Sequence, residues 1–154
     1  MIYEKPKFSE ILYVCNNLRD LSKEEMFATR PHDDPAELAS ELFHSAAIMW
    51  VGYHKDRPAA LIGAFPLYPG VWGLFGCGTD EWQKIWRPMT VFARKTMMRT
   101  IAGSGAHRAH AASPVGHTQT HKWLKFLGAE QEAVLRGYGK NGEDFCLFAW
   151  TKEK

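Results

Sequence analysis

The most informative part of this 154-residue sequence is His121-Lys122-Trp123-Leu124-Lys125-Phe126-Leu127-Gly128-Ala129. Its apolar residues recur at the spacing of one face of an α-helix, which predicts an amphipathic helix over residues 117–127. Gly128 follows at the position where helices commonly end in a left-handed conformation. The stretch is therefore expected to be a helix with a defined end.

Strands are predicted on both sides of this helix. Downstream, residues 130–138 and 144–151 flank Lys140-Asn141-Gly142, and an Asn-Gly pair suits the tight turn of a hairpin. Upstream, the small residues of 106–112 predict a short strand that ends at Ser113-Pro114.

A further helix is expected before that strand. Thr79 can cap a short helical turn, but a proline inside a continuous helix is costly. The long helix is therefore predicted to begin with Pro88 at its first position and to end at Gly103-Ser104-Gly105.

The middle of the sequence contains short apolar runs typical of strands. Residues 47–53 and 59–67 predict a hairpin, and Pro69-Gly70 offers a turn before a third antiparallel strand that begins at Val71. At the end of that strand we expect a bulge or the close approach of a ligand, at Gly76, Cys77 and Gly78.

The first 45 residues predict a short edge strand at Ile2 and Tyr3 and then helices. A helix is expected over residues 9–21 with Ser9 as its cap, and Ser22 and Glu25 have capping-box spacing for another short turn. Asp34 before a proline marks the start of a helix that runs to about residue 45.

These elements predict one domain over residues 1–154, of the α+β class with a mixed, mostly antiparallel sheet flanked by helices. The composition, 45% hydrophobic and 23% charged, suits an ordinary core. The net charge of +2 and the scattered basic residues argue against a nucleic-acid partner, and no uncharged run is long enough to cross a membrane. We expect a cytoplasmic protein whose three widely spaced cysteines are reduced.

The order of elements resembles the GNAT superfamily of N-acetyltransferases. Residues 1–11 are similar to the first strand and the start of the first helix of many members, and the strand from Val71 lies where the family binds the pyrophosphate of its cofactor. Residues 121–129 resemble the family's penultimate helix. The proline-containing helix and residues 126–148 are also similar to GNAT-like internal virion and early proteins of short-tailed bacteriophages.

The resemblance implies acetyl-CoA or CoA as co-substrate and an amine on a protein or small molecule as acceptor. The family's Arg/Gln-x-x-Gly-x-Gly/Ala loop is absent, but a helix that starts at a proline leaves backbone N–H groups free to bind an anion. The candidates for the pyrophosphate are Arg87 and the amides of Met89, Thr90 and Val91; the alternative is an ordinary capped helix with a solvated Arg87. By resemblance, the pantetheine arm and acyl group lie beside Phe75, Gly76 and Cys77.

The candidate catalytic residue is His117. Transfer from a thioester to an amine needs a base and an acid, and Leu124 stands where the family often has an acidic tyrosine. His117 lies where many members have an asparagine that contacts the cofactor, and the ordinary pKa of histidine suits proton transfer near neutrality. The alternative is a surface or capping histidine. No metal site is expected, because His117 and His121 lack a third ligand.

Two functions follow from these observations. The first is an acyl-CoA-dependent N-acyltransferase with a degenerate pyrophosphate loop. The second is a catalytically inactive GNAT-like module that binds a protein, as a virion component or as an effector directed at a bacterial host protein. The absent glycine loop, the absent tyrosine and the tryptophans at 72, 82 and 86 favour the second.

Overall fold

The structure, a computed structural model, describes residues 1–152. It consists of a seven-stranded sheet with helices on both faces, which confirms the predicted fold class. The strands are β1 (Ile2–Glu4), β2 (Ile48–His54), β3 (Arg57–Tyr68), β4 (Val71–Gly78), β5 (Arg108–Pro114), β6 (Glu130–Leu135) and β7 (Phe145–Thr151). The helices are α1 (Phe8–Asn16), α2 (Asp20–Phe27), α3 (Pro35–Ser45), α4 (Trp82–Phe92), α5 (Met98–Gly103) and α6 (Thr118–Phe126), and a π-helical segment, Ala93–Met97, joins α4 to α5.

The sheet opens between two of its strands. Its order is β1-β2-β3-β4-β5-β7-β6, and each neighbouring pair is antiparallel except β4 and β5. These two strands run parallel and pair only where residues 71–73 meet residues 108–110. Beyond Gly73, β4 continues to Gly78 with β3 as its only partner strand. The two strands therefore separate at the end where β4 leads into α4.

Alternate residues of the central strands form two cores. Val51 and Leu61 pack in a cluster with residues of α1, α2 and α3, whereas Trp50 and Ile62 pack in another with residues of α4 and α5. Side chains of successive strand residues point to opposite faces, so the apolar central strands bury both faces of the sheet.

A glycine lets α4 lie close to the sheet. A Cβ atom on Gly52 of β2 would be only 2.5 Å from the Met89 sulfur and 3.0 Å from Ile85 Cδ1. Any side chain at this position would displace the Met89 side chain, so Gly52 gives Met89 room to pack against β2.

The prediction that a helix begins at Pro88 is wrong. Helix α4 begins at Trp82, and Pro88 lies inside it with its ring exposed. An interior proline costs about 3 kcal/mol, but α4 buries Ile85 and Met89, and each buried apolar side chain contributes about 1.5–3 kcal/mol. Burial on the inner face of α4 therefore outweighs the hydrogen bond that Pro88 cannot make.

Two other predicted helix starts differ in detail, and one is confirmed. Helix α1 begins at Phe8 rather than after Ser9, and the Lys7 N–H donates to Glu10 Oε1 at 2.7 Å. Ser22 lies inside α2 and is not its cap. Asp34 does cap α3, where its carboxylate accepts from the Ala36 N–H at 2.9 Å.

The glycine-rich end of β4 is regular strand without the predicted bulge. Pairing with β3 is continuous from Gly73 to Gly78. The three cysteines are free and buried, as expected for reduced thiols in a core. Among the helices of residues 1–152, none is long and apolar enough to cross a membrane.

Candidate active site

A cleft of about 810 Å³ lies where β4 and β5 separate. Residues 74–78 of β4 and Ala111 of β5 line it from the sheet. Its remaining lining comes from α2 with the residue before it, from α4 and the π-helical segment, and from α6 with the residue after it: Arg19, Ser22, Glu25, Trp82, Gln83, Trp86, Arg87, Thr90, Val91, Met97, Gln119, Thr120, Lys122, Trp123, Leu124, Phe126 and Leu127. The cleft is therefore an aromatic-rich space with a few charged side chains.

Backbone groups of β4 face this space. The Gly78 N–H donates to Ser22 Oγ at 3.1 Å, and the Gly78 carbonyl accepts from the Arg19 N–H at 2.9 Å, both on the side away from β3. Because the backbone groups of a strand alternate in direction, those of Gly76 point the same way, where β4 has no partner strand. The N–H and C=O of Gly76 therefore face the cleft, where an extended ligand could pair with them.

A carboxyl group with a perturbed pKa lies beside these backbone groups. Glu25 is half-buried on α2, one turn after Ser22. Burial raises the pKa of Glu25 to about 7, and the positive charge of Arg19 opposes this shift without cancelling it. The Glu25 carboxyl can therefore both accept and release a proton near neutral pH.

Arg19 lies at the same end of the cleft. Its guanidinium carbon is 5.8 Å from the centre of the Trp82 ring, and its Nε is buried without a hydrogen-bond partner. Burial lowers the pKa of Arg19 from its usual range. An unsatisfied, buried N–H donor on a cation is a group that a polar ligand atom could occupy.

Cys77 is not an activated nucleophile. The residue lines the cleft but its side chain is buried, and burial raises the pKa of its thiol well above the ordinary value. A thiol in that state is protonated at neutral pH, and thiolate is the reactive form. Cys77 is therefore a structural thiol of the core cluster that also contains Leu61.

Helices α4 and α6 form the opposite walls. The Trp123 indole N–H donates to Thr90 Oγ1 at 2.7 Å, and the Trp123 ring meets that of Trp82 edge-on at 6.0 Å. Arg87 and Lys122 are exposed at the cleft margin, one on each helix. The walls are thus held by aromatic contacts inside and carry cations outside.

Six of the seven predicted cofactor-binding residues line this cleft, namely Phe75, Gly76, Cys77, Arg87, Thr90 and Val91. Met89 does not, because its side chain is buried against Gly52 beneath α4. Met89, Thr90 and Val91 were predicted to bind the pyrophosphate through free amides at the start of a helix. This reason is wrong, because their amides lie within α4 and not at a helix start. Thr90 and Val91 reach the cleft by their side chains.

His117 lies outside the cleft lining. It precedes α6, is buried, makes no side-chain cap, and its Nε2 lies 3.0 Å from Glu24 Oε2 of α2. Its Nδ1 is buried without a hydrogen-bond partner. His117 is therefore neither a surface nor a capping histidine, and the structure gives it a role in joining α6 to α2.

The actual start of α4 is poorly suited to a pyrophosphate. The N–H groups of Glu81, Trp82 and Lys84 are already bonded, to Thr79 Oγ1 at 3.1 Å, to the Thr79 carbonyl at 3.0 Å and to the Glu81 carbonyl at 2.9 Å. The side chains of Asp80 and Glu81 add negative charge at the same helix end, which repels an anion. A nucleotide diphosphate would therefore need side-chain cations instead of these amides.

Solved structures of known proteins share this architecture. An acetyltransferase of the GNAT family from Bacillus anthracis is 12% identical with a TM-score of 0.73, covering 99% of this chain and 95% of that one. The aminoglycoside 6'-N-acetyltransferase from Enterococcus faecium is 18% identical with a TM-score of 0.67, covering 98% and 96%. The chain has the GNAT fold. No protein-family model and no curated protein sequence matches it.

In this GNAT fold the residue at the expected position of the acidic tyrosine is buried Leu124, which lines the cleft. No tyrosine is among the cleft-lining residues in the part of the chain that the structure describes. Any proton transfer by side chains must therefore use another group, and Glu25 has the pKa for it.

The sequence interpretation missed Glu25 and Arg19. Ser22 and Glu25 were explained by a capping box, a local pattern that accounts for both residues without a ligand. Instead, Ser22 Oγ accepts from Gly78 across the end of β4, and Glu25 follows one turn later on the same side. Only the pairing of α2 with β4 reveals that both face the cleft.

A cluster of His32, Glu37 and Glu41 has metal-like spacing, with one ligand atom of each within 4.8 Å of the others. His32 Nδ1 accepts from the Asp34 N–H at 3.1 Å, so Nε2 carries the proton and donates to Glu41 at 2.7 Å. Glu41 also accepts from Arg30 Nε at 2.7 Å. The cluster is better explained as a hydrogen-bond network that fixes the start of α3.

Proposed function

We propose that this protein transfers an acyl group from a pantetheine thioester, such as that of acetyl-CoA, to an amine. The observation that carries the proposal is the position of Glu25, a carboxyl group with a pKa of about 7 in the cleft beside the unpaired edge of β4. The fold shared with acetyltransferases supports the same reaction class.

The mechanism uses Glu25 in both proton transfers. Ionised Glu25 takes a proton from the amine, whose nitrogen attacks the thioester carbonyl carbon, and the Gly76 N–H donates to the developing oxyanion. The carbon–sulfur bond then breaks. Protonated Glu25 can return the proton to the thiolate, because a thiol of ordinary pKa, about 8.5, holds a proton more strongly than a carboxyl at about 7.

The cleft suits the arm of the donor better than its diphosphate. Gly76 and its neighbours offer backbone groups to the pantetheine amides, whereas three N–H groups at the start of α4 are already bonded and two carboxylates lie beside them. If acetyl-CoA is the donor, its phosphates would lie near Arg87 and Lys122 at the cleft margin.

The experiment is a thiol-release assay with acetyl-CoA and a panel of amines that includes a lysine peptide, a polyamine and an aminoglycoside. We expect Glu25→Gln to lower kcat/KM by about 10²–10⁴-fold. The wild-type kcat/KM should rise with pH to a plateau above about pH 7, and the variant should lose this dependence. Glu130→Gln, at the exposed start of β6, is the control for charge. Equal activity of Glu25→Gln and wild type would refute the role of Glu25.

A second candidate is the inactive protein-binding module, which the internally bonded start of α4 and the leucine at position 124 favour. In this case the cleft holds a side chain or peptide of a partner such as a bacterial host protein, or the protein serves in a virion. Absence of thiol release with every donor and acceptor, together with binding of a purified partner that Trp86→Ala weakens, would support it.

A further inference from the structure

We propose that the thioester donor reaches the cleft on an acidic carrier protein, whose phosphopantetheine arm enters between α4 and α6. This inference rests on the proposed acyl transfer. The proposed donor is a protein that carries the thioester, in place of a free nucleotide such as acetyl-CoA. The evidence for such a donor is a cationic surface beside the cleft.

Charge is unevenly divided along the chain, contrary to the prediction of scattered basic residues. The helical segments 82–103 and 118–126 contain seven of the 19 lysines and arginines and none of the 17 acidic residues. These cations are Lys84, Arg87, Arg94, Lys95, Arg99, Lys122 and Lys125, and all are exposed. We call them the cationic surface.

The spacing of these cations exceeds the size of a nucleotide diphosphate. On the first segment they fall at positions that recur about every turn, which keeps them on one side of the helix. From Lys84 to Arg99 the helical segment extends by roughly 20 Å, since an α-helix rises by about 1.5 Å per residue and the π-helical part by somewhat less. A few clustered phosphates cannot pair with cations that are spread over that length, whereas the acidic residues of a protein surface can.

Apolar side chains are exposed within the same surface. The exposed fractions of Trp86, Val91 and Phe126 are 45%, 50% and 53%, and all three line the cleft. The Arg94 guanidinium carbon lies 4.9 Å from the centre of the Phe126 ring. Aromatic and arginine side chains together are typical of protein interfaces, so the mouth of the cleft has the composition of a docking site.

The start of α4 also argues against a free nucleotide donor. The N–H groups of Glu81, Trp82 and Lys84 are internally bonded, and the carboxylates of Asp80 and Glu81 lie at the same helix end. A carrier-bound arm has a single phosphodiester in place of the diphosphate and nucleotide. One cation at the cleft margin, Arg87 or Lys122, is enough to pair with that phosphodiester.

The position of Glu25 sets the direction of entry. The base must contact the amine, so the acceptor approaches from the α2 end of the cleft, where Arg19 and Glu25 lie. The donor must then enter from the other end, between α4 and α6. This is the end that the cationic surface surrounds.

The test measures binding by calorimetry to acyl carrier protein with its arm (holo) and without it (apo), to CoA and to pantetheine. We expect the holo carrier to bind at least tenfold more tightly than the apo carrier or pantetheine, and CoA to bind no more than threefold more tightly than pantetheine. The double variant Arg94→Glu, Lys95→Glu should weaken carrier binding at least tenfold. The double variant Arg136→Glu, Lys152→Glu makes an equal charge change at exposed residues outside the cationic surface; it is the control and should change carrier binding less than twofold.

Several results would overturn the inference. These are no binding of the holo carrier, no effect of the double variant, CoA binding tenfold or more above pantetheine, or vesicles of phosphatidylglycerol binding through the same cations while the carrier does not. Acyl transfer from acetyl-pantetheine is measured separately. Transfer without carrier binding would overturn this inference alone, whereas carrier binding without transfer from any donor would overturn the proposed reaction.

Discussion

Trp123 donates a 2.7 Å hydrogen bond from Nε1 to Oγ1 of Thr90, and this bond joins α6 to α4 across the cleft. The Thr90 hydroxyl in turn donates to the Trp86 carbonyl at 2.5 Å, so its oxygen is held in place to accept. The sheet does not connect these walls, because β4 and β5 have separated at this level. The buried Thr90 therefore helps to set the width of the cleft, together with the edge-on contact between Trp82 and Trp123.

The first prediction concerns this threonine. Thr90→Val keeps the shape of the side chain but leaves the Trp123 N–H without its partner, which should lower the free energy of unfolding by about 1–3 kcal/mol. Urea denaturation measures the change. Thr100→Val is the matched control, because Thr100 is exposed and its hydroxyl bonds only the Thr96 carbonyl one turn earlier, at 2.8 Å. Equal effects of the two substitutions would contradict the proposed link between the helices.

The second prediction concerns stability and pH. The folded pKa of Glu25 is about 7 and its ordinary value is 4.5, so between these values the folded state holds a proton that the unfolded state has lost. Stability should therefore fall as pH rises from 4.5 to 7 and level off above, by an amount on the order of 3 kcal/mol.

The measurement is the free energy of unfolding of wild type and Glu25→Gln at several pH values. Glutamine cannot ionise, so the variant should gain stability relative to wild type as the pH rises, and the difference should be largest above pH 7. A difference that does not depend on pH would show that the Glu25 carboxyl is not buried in this way.

The sequence predicts those parts of the fold that depend on local signals. Asp34 followed by Pro35 marks the start of α3 because both the cap and the proline act within one turn. Gly128 ends the last helix at φ +100°, as a left-handed glycine should. The start of α4 depends on contacts that are distant in sequence, because burial of Ile85 and Met89 against β2 outweighs the effect of Pro88.

The candidate site is less predictable for the same reason. Gly76 and its neighbours were found because they end a strand, but Glu25 belongs to α2, some fifty residues earlier. Its role depends on the hydrogen bond between Ser22 and Gly78, which no local pattern reveals. Five of the seven cations could have been found by counting charges in the predicted helices, but Lys84 and Arg87 precede the predicted helix start at Pro88.

The third prediction concerns His117, which the sequence placed in catalysis. Because it is buried between α6 and α2 and lies outside the cleft lining, His117→Ala should destabilise the protein by about 1–3 kcal/mol and change kcat/KM less than about threefold. Both are measured below the melting temperature of the variant. A drop of a hundredfold or more in a folded variant would restore His117 as a catalytic residue.

The fourth prediction separates two glycines of β4. A Cβ atom at Gly78 would lie 3.0 Å from the Ala59 carbonyl oxygen and from Trp82 Cβ, whereas one at Gly76 would have Ile62 Cγ2 at 3.7 Å as its nearest neighbour. Gly78→Ala should therefore cost about 1–3 kcal/mol, and Gly76→Ala should be neutral or slightly stabilising.

Thermal or urea unfolding of the two variants tests this contrast, and pantetheine binding to Gly76→Ala extends it. The fold does not need a glycine at 76, so weaker pantetheine binding by a stable Gly76→Ala variant would assign that glycine to the ligand. If the variant is stable and binds pantetheine as wild type does, the arm does not pack closely against the position of the added Cβ atom on the face of β4.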